Sequence, residues 1–118
     1  MSEGFHPEKS RVNAGSLADF IRAPLTGSLQ EVPGIGEATE KVMRENGIST
    51  TYGLIGKFLS LKEEGVEPVE HADRFYFWLK SIGTAGGFRA GVVHAIAEKM
   101  NATFVGIYDA DAYGALDA

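Results

Sequence analysis

Seven residues, Val32-Pro33-Gly34-Ile35-Gly36-Glu37-Ala38, place two glycines around one aliphatic side chain directly before a helical pattern. That spacing suits a backbone clamp for a phosphate, because an anion must come within hydrogen-bond distance of main-chain N–H groups and glycine leaves the way open. Both glycines are expected to take conformations closed to residues with side chains. Ile35 is expected to point the other way, into the core between the flanking helices. The N–H groups of Gly36, Glu37, Ala38 and Thr39 would then face an anion, with the positive end of the helix dipole behind them. Chemistry of this kind holds nucleic acid by its sugar-phosphate strand and does not read bases.

Two other phosphate loops begin in the same way and fail on spacing. A dinucleotide-binding loop needs a third glycine or alanine where Thr39 stands, and an apolar strand before the turn, whereas Gly27 to Glu31 is polar. A nucleoside-triphosphate loop needs Gly-Lys-Ser/Thr, which the chain lacks. An ordinary turn between two helices often contains glycine and holds no ligand, so the motif alone leaves both readings open.

The 118 residues suffice for one domain with a single core. Without cysteine there is neither a disulfide nor a thiolate metal site. No apolar stretch approaches bilayer-spanning length, and Met1 to Arg11 lacks the apolar core of a signal peptide, so the expectation is a soluble, unsecreted protein without membrane insertion. The net charge of −5 is unevenly spread. Residues 1–62 hold seven charges of each sign, residues 74–104 hold four basic and one acidic, and the remaining eight acids lie in 63–73 and 105–118. This is no basic stripe. Backbone amides and helix dipoles would carry much of any nucleic-acid binding, which predicts modest affinity per protomer and a need for multivalency.

The elements that must position the clamp follow from periodicity and punctuation. Residues 1–15 read as a flexible arm, and Ser16-Leu17-Ala18-Asp19 as a capping box opening a short helix that Pro24 ends. Ser28 to Glu31 adds a further turn. Glu37 to Asn46 reads as helix with Ala38, Val42 and Met43 inward and Gly47 as its stop. Thr50 or Thr51 caps the next helix, in which Gly53 and Gly56 imply close approach of another backbone. Glu63 to Ala72 reads as an acidic loop. Phe75, Trp78, Leu79 and Ile82 then form a core face, with Tyr76 and Phe77 off it and available to a dimer or partner surface. A second glycine-rich turn, Gly83 to Gly91, precedes the helical run Val92 to Met100, with Phe88 expected inward and Phe104 closing the core. His6, His71 and His94 have no metal-like spacing, and no catalytic set emerges.

Taken in order, the hairpin, the helix Tyr52 to Lys62, the Phe75-x-x-Trp78-Leu79-Lys80 block and the second turn resemble the barrier-to-autointegration factor family over residues 16–104. Asp19-Phe20-Ile21 with Pro24, and Gly27-Ser28-Leu29, fit the same pattern. The resemblance implies an all-α fold of SAM-like type, a compact bundle of five to six short helices with a helix-hairpin-helix and a second, degenerate hairpin. It also implies a non-enzymatic homodimer, without cofactor or metal, that bridges double-stranded DNA without sequence preference in chromatin, in nucleus and cytoplasm. The candidate DNA-binding set is Gly34, Ile35, Gly36, Glu37, Ala38, Thr39 and Lys41 in and after the hairpin, with Gly87, Phe88 and Arg89 in the second turn. The groove that receives LEM-domain proteins in that family falls on Ile55, Gly56 and Ser60. Ser16 and Phe88 replace basic residues, Ser60 replaces an aliphatic one, and residues 105–118 form an extra acidic tail, expected to lack fixed structure. Those losses keep an alternative in view, a protein-interaction module with weak DNA binding. Phosphorylation of Ser2, Ser10 or Ser16 is expected to weaken binding.

Overall fold

Helix α5 (Gly86–Thr103) is apolar around nearly its whole circumference, with Val92, Val93, Ala95, Ile96 and Ala97 all inaccessible to solvent. A helix of that composition can lie only at the centre of a bundle. In the computed structural model, which describes residues 4–115, α1 (Ala14–Arg22) and α4 (Pro68–Ser81) pack directly on it. Helices α2 (Glu37–Glu45) and α3 (Thr51–Ser60) follow the hairpin, and the described residues contain no strand. The fold is all-α.

Local chemistry sets each boundary. Asn13, not Ser16, starts α1: its Oδ1 accepts from the Gly15 and Ser16 amides at 2.7 and 3.2 Å. Asparagine at this position satisfies amides the helix leaves unpaired. Thr50 Oγ1 accepts from the Gly53 amide at 3.1 Å and so caps α3. Pro68 opens α4 instead of lying in a loop, since proline at the first helical position has no N–H to lose. The expected acidic loop is therefore shortened to Glu63–Glu67, and Glu70 and Asp73 are helical. Arg74 binds Glu63 Oε1 at 2.6 Å and Glu70 Oε2 at 2.9 Å across that corner.

Burial corrects several inward assignments. On α2, Thr39 and Met43 face the core while Ala38 is exposed. On α4, Tyr76 is buried at 7% exposure beside Phe75 and Leu79, leaving Phe77 outside. Phe104 is half exposed, and Tyr108, at 3%, closes that end of the core instead.

From Gly4 onward the expected flexible arm is docked. Phe5 is buried against His94, Tyr108 and Tyr113, its ring meeting Tyr113 edge-on at 5.6 Å. Its amide donates to Asp73 Oδ1 at 2.8 Å. The segment after α5 also returns to the domain through Tyr108 and Tyr113, so its aromatic residues outweigh its acidic ones. Ser2 and Asp117, singled out in the sequence, lie outside the described residues.

Candidate nucleic-acid interface

The hairpin is built by three connections. Glu31 Oε1 and Oε2 accept from the Thr26 and Gly27 amides at 2.9 and 3.0 Å, and Oε2 lies 2.6 Å from Thr51 Oγ1. Burial raises the pKa of this carboxyl, but the hydrogen bonds from Thr51, Thr26 and Gly27 outweigh that and hold it below the usual carboxylate value. The Thr51 amide donates in turn to the Gly27 carbonyl at 3.0 Å, tying the approach to the hairpin to the start of α3. Val32 and Ile35 then plug into the core at 1% and 5% exposure.

The two hairpin glycines do different things. Gly34 has φ +96°, a conformation that side-chain-bearing residues rarely adopt. Gly36 has φ −103° and ψ −166°, open to any residue, and a Cβ there would meet nothing within 4 Å. The expectation that both positions demand glycine for the turn thus holds at Gly34 alone. Gly36 is exposed, and no steric demand from the described residues calls for glycine there.

Side chains cap α1 and α3 but not α2, α4 or α5. Asn13 and Thr50 cap α1 and α3 with side chains, and α4 opens on proline. Helix α2 begins at Gly36 and α5 at Ala85, neither with a side-chain cap. In the hairpin the Ile35 amide is spent on the Val32 carbonyl at 3.0 Å, and the first helical bond runs from Glu40 to Gly36. Between them, the amides of Gly36, Glu37, Ala38 and Thr39 find no acceptor among the described residues. The amides of Gly86 and Gly87 at the start of α5 stand likewise. The starts of α2 and α5 therefore present unsatisfied N–H groups, with about half a positive charge at each helix end.

These two starts are brought together. A Cβ on Gly34 would stand 3.5 Å from Val92 Cγ2 and 3.7 Å from the Phe88 carbonyl, so the hairpin packs on the first turns of α5. Alongside runs a groove of about 760 Å³ walled by Pro33 and Gly34 of the hairpin, Gly87 and Phe88 of α5, and Asn13 and Ser16 of α1. Neither the 63–67 loop nor the acids of α4 reach it. Its own acids, Asp19 and Glu31, are engaged, Asp19 with Arg22 at 3.2 Å and Glu31 with the amides described above.

Of the candidate DNA-binding residues, Gly34, Gly87 and Phe88 line this groove. Gly36, Glu37 and Ala38 continue from it as exposed backbone, while the Thr39 side chain is buried at 6%. Ile35 contributes neither a side chain nor a free amide, since both are used within the fold. Phe88 is not in the core: it is 51% exposed, in the first turn of α5 where it lines the groove. Arg89 does not line the groove, though its guanidinium lies 3.9 Å from where a Cβ on Gly86 would stand. Its Nε donates to the Thr84 carbonyl at 2.9 Å and its guanidinium lies 5.7 Å from the Tyr76 ring. Lys41 is exposed on α2 beside Glu37 and Glu45, outside the groove. Among the expected partner residues, Ile55 faces the core at 9% exposure, whereas Gly56 and Ser60 are exposed.

Arg11 was missed. It is exposed, lines the groove, and its Nη1 lies 3.8 Å from where a Cβ on Gly87 would stand. A lone arginine in a polar, aperiodic stretch carries no sequence signal, and only the docked arm places it here. The described residues contain no group of three His, Asp or Glu side chains able to hold a metal, and no helix long and apolar enough to cross a membrane.

The family model for barrier to autointegration factor matches residues 14–103. Over 68 residues the chain is 35% identical to barrier-to-autointegration factor A of Xenopus laevis, covering 57% of this chain and 68% of the relative. No solved structure matches the chain. The matched span runs from the first residue of α1 to the last of α5, taking in the hairpin and the second turn, and by it the chain belongs to the barrier-to-autointegration factor family.

Proposed function

We propose that this protein is a non-enzymatic binder of double-stranded DNA that grips phosphates without reading sequence and bridges duplexes as a homodimer, in the nucleus and cytoplasm of its cell. The observation that carries the reading is the pair of helix starts without side-chain caps, α2 and α5, whose hairpin and first turn meet along one groove lined by Gly34 and Gly87 and by no residue of α4. An anion is the partner such ends accept. Gly36 supports it further, because its openness serves close approach from outside the chain.

The second copy would sit on α3. Gly53 and Gly56 are exposed there, and a Cβ on Gly56 would stand in open space, so the two destabilising glycines find no close backbone neighbour among the described residues. Tyr52, 57% exposed, adds apolar area to the same helix. A LEM-like protein would use Gly56 and Ser60 at its margin.

Titration of short duplexes of different sequence at low salt, with solution mass measured alongside, tests the reading. Binding should depend little on sequence and fall with salt at a log-log slope near −0.9 per phosphate neutralised. Gly36→Glu, which the backbone and surrounding space accommodate, should abolish binding and keep the helical signal. Normal binding by that variant would make the clamp assignment wrong. Complete absence of binding by the unmodified protein at low salt would favour a protein-interaction module on this scaffold, a reading supported by the net charge of −5 and the engagement of Arg89.

A further inference from the structure

The segment before α1 lies ahead of the family match, yet it is bound to the domain at several points. Asp73 on α4 accepts the Phe5 amide, and Gly4 passes so close that a Cβ would stand 2.8 Å from Asp73 Oδ1. Lys9 Nζ donates to the Gly4 carbonyl at 2.9 Å, and the His6 ring bonds the Gly114 carbonyl at 2.7 Å. Phe5 sits within the Tyr108 and Tyr113 cluster, so the segment after α5 closes over the segment before α1. Farther along, Val12 crosses α5 at Gly91, where a Cβ would stand only 3.0 Å from Val12 Cγ2. These contacts bracket Arg11.

We propose that this clasped segment is a strut that holds Arg11 over the start of α5 as the groove's phosphate-binding cation. Two observations converge on it. Position 88, the exposed side chain of the second turn, is phenylalanine, and Arg89, whose guanidinium lies 3.9 Å from where a Cβ on Gly86 would stand, is tethered through Nε to the Thr84 carbonyl and does not line the groove. Among the described residues that line the groove, Arg11 is the one cation, and its Nη1 lies 3.8 Å from where a Cβ on Gly87 would stand. A guanidinium at Gly87, whose amide is free, suits one phosphate. Phe5 and Asp73 are positioning residues, remote from the groove.

The assignment rests on the duplex-binding reading above, and the experiment separates the two. Salt-dependent titration of a short duplex should show Arg11→Gln weakening binding roughly three- to tenfold and making the log-log slope shallower by about 0.9, the loss of one phosphate contact. Arg11→Lys should keep the slope. Phe5→Ala, which touches nothing in the groove, should lower the slope by the same amount and add almost nothing when combined with Arg11→Gln. Should Phe5→Ala fail to fold, the exposed Arg11 variants decide the matter alone. Unchanged affinity and slope in Arg11→Gln, with Gly36→Glu still abolishing binding, would overturn the strut and leave the duplex reading standing. If neither substitution changes binding, both fall.

Discussion

Lys99 Nζ lies 2.6 Å from the Phe20 carbonyl, with the Ile21 and Ala23 carbonyls at 3.1 and 2.8 Å. One lysine of α5 thus terminates α1, and its ammonium also stands 4.9 Å from the centre of the Phe20 ring. The contact ties together the two helices that supply opposite walls of the groove. Lysine is rarely this buried, 9% exposed, and here its three donors meet three carbonyls that the helix end leaves unpaired.

Lys99→Met should keep the apolar stem and strip those carbonyls of their partner. The expected cost is about 1–3 kcal/mol of stability. Urea unfolding would show it as a lower midpoint with little change in slope. A midpoint within error of the parent would mean that water caps α1 as well as Lys99 does.

The two hairpin glycines should separate folding from binding. Gly34→Ala forces a side-chain-bearing residue to φ +96° and should destabilise by about 1–2 kcal/mol. Gly36→Ala meets no atom within 4 Å and no strain, so its stability should change by no more than about 0.5 kcal/mol. The same methyl stands where a phosphate would approach, so duplex affinity should fall. Thermal melts and duplex titration on the pair would expose a failure if Gly36→Ala lost more stability than Gly34→Ala.

Acidification should destabilise the fold through its buried histidines. His71 is fully buried, stacked on Phe58 at 4.2 Å, with Nε2 at 2.7 Å from the Phe58 carbonyl. Burial pushes its pKa below 6.5, the Phe58 carbonyl opposing only in part, and burial lowers His94 likewise against Glu98. The unfolded chain therefore takes protons near pH 6.5 while the native chain does not. Stability is full above that value and declines as pH falls toward the depressed native values. Melts from about pH 7.5 to 5.0 should show the decline, and His71→Gln should flatten it; identical profiles for the two proteins would remove His71 as the cause. Glu31 acts in the same direction but below pH 4.5, outside this window.

Much of the site was legible because it is local. The Gly-Ile-Gly spacing, the plug role of Ile35, the stop at Gly47 and a cap near Thr50 depend on residues within one turn of each other. What failed was long-range. Phe5 reads as part of a polar arm because its partners, Asp73, His94 and Tyr108, lie 68 to 103 positions away. Arg89 reads as a phosphate ligand until Thr84 and Tyr76 claim it. Phe88 reads as core because a lone aromatic beside glycines carries no sign of which side of α5 it takes.

Sequence alone determined the helical class, the order of the elements and the hairpin, since capping, glycine conformation and 3.6-residue periodicity act within a few residues. Tertiary packing decided which amides at the helix starts remain open, that the hairpin and the second turn line one groove, and that Arg11 lines it too. The physical reason is that a free amide or an unpaired charge is defined by what does not reach it, and that depends on every segment folded around it.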